Sequence, residues 1–186
     1  MMRLFIAFPL QPEVRSGLGG IIDELRKSGG PVKWVAPNNI HLPVRFLGDT
    51  DERLVPDIKR LMDASVQGFQ AASGVIDAIG GFPNLNRPRV IWAGMSRAIE
   101  SLPTLASKIE LGVQDLGFEA ETKRFRPHFT LGRVREARGM ERLVDFIRSY
   151  RPPSLEIAFD RIMLIKSTLT PKGPIYQPLH ESMLAG

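Results

Sequence analysis

Cysteine is absent from the 186-residue chain, and with it go disulfides, thiolate nucleophiles, Cys-ligated zinc and iron–sulfur clusters. No run of 18 apolar residues occurs, so no membrane-spanning helix is expected. The apolar stretch from Met1 to Leu10 carries Arg3 and meets Pro9 too early to hold a signal peptide's apolar region and cleavage site. A phosphate-cradling Gly-rich loop is missing too, because Gly17, Gly19 and Gly20 lie inside a helical pattern without the lysine and hydroxyl of a P-loop. The reading is a cytoplasmic protein with no membrane partner, and much of the catalytic menu is closed to it.

What remains is an ordinary globular composition. Apolar residues make up 43% and charged residues 24%, enough to bury a core. At roughly 150 residues per domain the length allows one domain or two small packed lobes. Lysine and arginine exceed aspartate and glutamate by 25 − 20 = 5, and the sequence pI is near 9.9. That is a moderate lean toward a polyanionic partner and permits nucleic acid.

The order of elements is written twice. Arg3 to Phe8 reads as a buried strand, and Val14, Leu18, Ile21, Ile22 and Leu25 mark one face of a helix closed near Gly29-Gly30. A strand from Ile40 to Leu47 ends at the turn signal Gly48-Asp49, a helix follows over Leu54 to Met62, and Phe69 to Ile79 is β-rich. Then Arg89 to Gly94 is strand-like, Leu102 to Leu116 helix-spaced, Phe129 to Val134 a strand, and Met140 to Ile147 helix-spaced again. Leu155 to Ile165 and Tyr176 to Leu184 read as further strands joined by a loop over residues 170–174 that includes Lys172. His41 and His128 lie in corresponding strands, 128 − 41 = 87 residues apart, and adding 87 to the first strand and first helix lands on their second-half counterparts. This predicts one domain over residues 1–186 built from two interleaved pseudo-repeats.

Residues i and i+2 of a strand share a face. His128 and Thr130 therefore stand together, with Phe129 and Leu131 turned into a core, and His41 aligns with Pro43 and Arg45. If the halves are related by a pseudo-dyad, two imidazoles meet across a cleft. One can activate a nucleophile while the other protonates a leaving oxygen, as an in-line displacement at phosphorus requires. Histidine's unperturbed pKa near ~6.5 suits both tasks. A solitary His-x-Thr in a strand is usually structural, but here the histidine recurs at the same place in a repeated element.

The segments Ile40-His41-Leu42-Pro43-Val44-Arg45-Phe46-Leu47-Gly48-Asp49 and Arg126-Pro127-His128-Phe129-Thr130-Leu131-Gly132-Arg133 resemble the paired H-x-T-x motifs of the 2H phosphoesterases. The resemblance is to the bacterial and archaeal RNA 2′,3′-cyclic phosphodiesterases, also called 2′-5′ RNA ligases. Arg3 to Ala7, Arg89 to Trp92 and Ser167 to Tyr176 look like the same family, so nearly the whole chain is covered. The resemblance implies a bilobal α+β (LigT-like) fold, with two pseudo-symmetric lobes of antiparallel sheet and outer helices around a central cleft. It also implies no metal or other cofactor, and hydrolysis of a terminal 2′,3′-cyclic phosphate to a 2′-phosphate. His41 and His128 are then the catalytic pair, with His41 as acid and His128 as base or, by the pseudo-symmetry, the reverse, and Thr130 and Arg133 are substrate-binding; strand period alone adds Arg45 as a substrate-binding candidate or a solvated cation. RNA ends or nucleoside 2′,3′-cyclic phosphates are the expected partners of a monomer. A 2′-5′ ligase activity and a non-catalytic module for RNA ends are the alternative functions.

The first motif departs from its pattern, with Pro43 where a threonine belongs. Proline offers neither a hydroxyl nor a backbone N–H, and a central strand accommodates it only where the ladder is interrupted. Arg133 sits at a position usual for arginine in the family, yet strict alternation turns it away from His128, so it needs a bulge. Lys123, Arg124, Arg126, Arg133, Arg135 and Arg138, with Phe125 among them, suit phosphate and base contacts, although most such cations are simply solvated. Phe5 and Trp92 are candidates for core or for a base-stacking platform, with strand placement favouring core. His180 reads as structural or solvent-exposed and Asp49 as a turn or capping residue.

Overall fold

The computed structural model describes residues 1–171 and 173–186; Lys172, in the loop expected at 170–174, lies outside the described residues. Strand β1 (Met2–Phe8) is buried from Leu4 to Phe8. Helix α1 (Pro12–Lys27) opens on Pro12, whose missing N–H is harmless in a first turn, and buries Val14, Leu18, Ile21, Ile22 and Leu25 as the spacing predicts. Gly29 at φ +78° and Gly30 at φ +107° end it in backbone that other residues resist. Strands β2 (Val32–Trp34) and β3 (Leu42–Thr50) lead into α2 (Val55–Val66), β4 (Ala72–Ile76) and β5 (Ala78–Phe82). The second half runs β6 (Val90–Gly94), α3 (Ser101–Asp115), β7 (Phe129–Val134), α4 (Glu141–Ser149), β8 (Leu155–Phe159), β9 (Arg161–Thr170) and β10 (Gly173–Met183).

One sheet has the order β10-β9-β1-β3, a second has β2-β7-β6-β5, and β4 pairs with β8. Every ladder is antiparallel, so the expected two-lobed α+β arrangement is the one observed. The main core lies between the sheets' inner faces and the helices. On the opposite face of the first sheet a smaller cluster of Phe5, Ala7 and Ile165, flanked by Met163 and Tyr176, forms one side of a cleft. Among the described residues no helix is long and apolar enough to cross a membrane.

Three boundaries depart from the sequence reading. Gly48, expected to end a strand, is carried within β3 at φ +70°, marking a local bend instead of a turn. The single strand expected over Leu155 to Ile165 is two, because the chain changes sheet at Asp160: β8 pairs with β4, and β9 with β1 and β10. Strand β2 has only three residues, too few for alternation to show, and is held by its pairing with β7.

Candidate active site

His41 and His128 each sit one residue before a strand, His41 before β3 and His128 before β7. The next residues, Leu42 and Phe129, are fully buried and turn into the core, which sends the imidazoles to the other side. Both rings border one cleft of about 940 Å³, His41 from the first sheet and His128 from the second.

The two rings are held alike. His41 Nδ1 lies 3.1 Å from the carbonyl of Asn39, and His128 Nδ1 lies 2.7 Å from the carbonyl of Arg126. A proton on Nδ1 is thereby donated to the backbone, which fixes each ring and leaves Nε2 as the working nitrogen. Aromatic rings brace them edge-on: Tyr176 at 4.9 Å and Phe5 at 5.9 Å from His41, and Phe82 at 4.9 Å from His128. Adding 87 carries Asn39 to Arg126, His41 to His128 and Phe5 to Trp92. Burial pushes the His41 pKa below its ordinary value, with help from the Arg15 charge and against the pull of the Asn39 carbonyl.

Two bulges decide which neighbours share the cleft. In β7, Trp92 pairs with Thr130 but Ile91 with Gly132, so Leu131 is the extra residue. Past it Arg133 returns to the face of Thr130, and both border the cleft, meeting the condition that strict alternation had imposed. In β3, Ala7 pairs with Pro43 but Ile6 with Arg45, so Val44 is the extra residue, at 44 + 87 = 131. Pro43 thus lies beside an interruption of the ladder, where its missing N–H is tolerated.

Arg45 also borders the cleft, but the same bulge takes it off the face it was expected to share with Pro43. Arg45 stands opposite Ile6, a residue of the main core, whereas Pro43 stands opposite Ala7 of the cleft-side cluster. The Arg45 side chain is only 10% exposed, and its Nε donates to Glu110 Oε2 at 2.5 Å. Its two terminal nitrogens donate to the carbonyls of Phe46 and Glu119. Glu110 also accepts from the backbone N–H of Glu121 at 2.8 Å and from Gln114. Burial raises the Glu110 carboxyl, but these hydrogen bonds and the Arg45 charge outweigh it and hold the pKa below its ordinary value. Arg45 therefore fastens β3 to α3 and to the segment that leads into His128. Arg45→Ala is expected to cost roughly 2–3 kcal/mol, because it strands a largely buried carboxylate. Calorimetry should show a melting temperature about 5–10 °C lower.

Lys123, Arg124, Phe125 and Arg126 on that segment border the cleft, as does Lys33 of β2, while Arg135 and Arg138 are exposed beyond its lining. Phe5 is 4% exposed, buried against His41 as a brace and closed to stacking. Trp92 lies against Phe82 at 5.3 Å and is packed over Gly80, where any Cβ would collide with its ring. His180 is structural: its Nε2 is 2.8 Å from Asp63 Oδ1, to which Ser182 also donates at 2.6 Å, tying β10 to α2. Asp49, expected as a turn or capping residue, instead lies 3.5 Å from Arg3 on the neighbouring strand. Among the described residues no three His, Asp or Glu side chains converge as a metal site. Sequence reasoning assigned no role to Tyr176, Phe82 or Asn39, although the offset of 87 that links Asn39 to Arg126 was a usable signal.

Comparison with known proteins identifies the family. Residues 8–92 and 94–176 match the family described as LigT like phosphoesterase. The chain is 36% identical to an RNA 2′,3′-cyclic phosphodiesterase of Thermotoga maritima, over 100% of this chain and 97% of the relative. It is likewise 36% identical to the protein of that name from Archaeoglobus fulgidus, over 96% and 98%. A crystal structure from Thermus thermophilus superposes with a TM-score of 0.80 at 30% identity, covering 100% of this chain and 99% of that one. LigT of E. coli, solved with 3′-AMP, has the same fold, with a TM-score of 0.80 at 24% identity over 100% and 99%. By sequence along its length and by fold, the chain belongs to the LigT-like phosphoesterase family.

Proposed function

We propose that this protein hydrolyses the terminal 2′,3′-cyclic phosphate of RNA to a 2′-phosphate, without a metal, through His41 and His128. The observation that carries the reading is the matched pair: two imidazoles on one cleft, each anchored through Nδ1 to the carbonyl two residues upstream. The relatives named RNA 2′,3′-cyclic phosphodiesterase support the substrate. His128 takes a proton from water, whose oxygen bonds to phosphorus. The phosphorus–O3′ bond breaks on the far side, and O3′ receives a proton from His41, whose protonated form burial makes more acidic than an ordinary imidazolium. Thr130 and Arg133 hold the non-bridging oxygens as charge shifts onto them. All these groups come from one chain, which supports a monomer of two interleaved repeats, and a substrate made of RNA ends supports a cytoplasmic location.

The test uses an RNA ending in a 2′,3′-cyclic phosphate together with a second RNA bearing a 5′-hydroxyl. Hydrolysed ends carrying a 2′-phosphate are the expected product. Accumulation of 2′-5′ joined strands in their place would assign the same histidines to ligation, since a 5′-hydroxyl can stand where water does. Binding of the cyclic end without any product would overturn the catalytic reading.

Pro43 offers a gain-of-function check. It lies on the cleft face, where a threonine would present a hydroxyl mirroring that of Thr130. Pro43→Thr is expected to raise kcat by up to about 10²-fold, and to change KM less, since such a donor acts chiefly in the transition state. Steady-state kinetics on a nucleoside 2′,3′-cyclic phosphate reads this directly. A lower kcat would mean that the proline is an adaptation to a different cyclic phosphodiester.

A further inference from the structure

His41 is held between two segments that lie far apart in the chain. On one side the Asn39 carbonyl meets its Nδ1 at 3.1 Å. On the other the ring of Tyr176, carried by β10, meets it edge-on with centroids 4.9 Å apart. The sheet alone does not fix the width of this slot, because β9 and β1 stand between β10 and β3. Phe5 packs against both rings, 5.1 Å from Tyr176 and 5.9 Å from His41. It keeps the slot from closing without keeping it from opening.

One side chain ties the two walls together. Asn39 Nδ2 donates to the carbonyl of Pro174 at 3.2 Å, across 135 residues of chain, and Tyr176 follows two residues later on β10. The other polar groups of Asn39 have separate partners. Its backbone N–H donates to the Ala36 carbonyl at 2.8 Å, closing a turn of 3₁₀ helix over Pro37–Asn39, and its own carbonyl faces His41. Behind the turn lies α1, where a Cβ added at Gly19 would come within 3.1 Å of the Pro37 ring. Helix α1 thus backs the turn while the Asn39 amide holds its front.

His128 has no such tie. Arg126, at 39 + 87, offers it a carbonyl at 2.7 Å, but the Arg126 side chain is exposed and makes no hydrogen bond among the described residues. The two halves share the carbonyl and differ in the clamp.

Building on the proposed hydrolysis, we infer that Asn39 is a positioning residue for His41, its carbonyl holding the proton on Nδ1 and its amide holding the β10 wall against the ring. Nε2 then faces substrate from a fixed place. When the amide is lost, the slot opens, the ring gains rotational freedom and the neutral imidazole spreads over both tautomers. A misplacement of roughly 1 Å at a reacting group is enough to cost about 10²-fold in rate.

The test combines kinetics on a nucleoside 2′,3′-cyclic phosphate with nitrogen NMR of the His41 ring, in the wild-type protein, Asn39→Ala and Asn39→Asp. Aspartate keeps the shape of asparagine and, when ionised, lacks the donor. Both variants are expected to lower kcat by roughly 10- to 10²-fold and to change KM less. The neutral wild-type ring should appear as the Nδ1–H tautomer, and the variant rings as a mixture of the two. In a His41→Ala background, Asn39→Ala should cost almost nothing more, since the group it positions is gone. A loss in that background as large as in the wild type would overturn the inference, reducing Asn39 to a structural support. An unchanged His41 tautomer in both variants would overturn it as well. If the wild-type protein hydrolyses no cyclic phosphate, the proposed function falls, and the His41 tautomer still decides the role of Asn39.

Discussion

His41→Ala and His128→Ala are each expected to lower kcat for cyclic phosphate hydrolysis by roughly 10²- to 10⁴-fold, the range that a positioned acid or base contributes. The two losses should fall well short of multiplying in the double variant, because both groups act in one transition state. Overall folding should survive, since both rings border the cleft and neither belongs to the buried core. The roles are separable by the leaving group. With a substrate whose 3′-bridging oxygen is replaced by sulfur, the departing thiolate needs little protonation. His41→Ala should then regain most of its lost rate, and His128→Ala should not. Rescue of His128→Ala alone would exchange the two assignments.

Thr130→Val should reduce kcat by about 10²- to 10³-fold with a smaller change in KM, the signature of a donor whose hydrogen bond strengthens as the phosphate gains charge. Valine keeps the β-branched shape that suits a strand, and Thr130 pairs there with Trp92, so the substitution isolates the hydroxyl. Among the described residues that hydroxyl makes no hydrogen bond within the protein, leaving it free to serve substrate. Thr130→Ser should keep most of the activity. Because Pro43 supplies no counterpart in the other half, the dependence on Thr130 should weaken in Pro43→Thr, and a double-substitution cycle measures that coupling.

Period-two alternation was enough to place Phe129 and Leu131 in the core, and His128 with Thr130 on the cleft. It failed for Arg45 for a physical reason. A bulge inserts one residue and reverses every side chain beyond it, and Pro43 marks an interrupted ladder without saying that a residue is inserted after it. The same event at Leu131 was foreseeable for Arg133 only because the family resemblance demanded that this side chain reach the cleft. Transferring that bulge by the offset of 87 to Val44 would have taken Arg45 off the face of Pro43 and put Phe46 on it. The break at Asp160 was equally hidden, since β8 and β9 are both apolar and are separated by their sheet partners and not by turn chemistry. The aromatic braces depend on contacts between distant segments, such as Phe82 with His128, which no local pattern encodes.

The central claim is that two histidines, without a metal, open a 2′,3′-cyclic phosphate. The measurement that bears on it most directly follows an oligoribonucleotide ending in that group, incubated in EDTA with the wild-type, His41→Ala and His128→Ala proteins. The account predicts that the wild-type protein produces a terminal 2′-phosphate at a rate EDTA does not reduce, and that both variants lose that activity. Full activity in both variants, or abolition of the wild-type rate by EDTA, would contradict it.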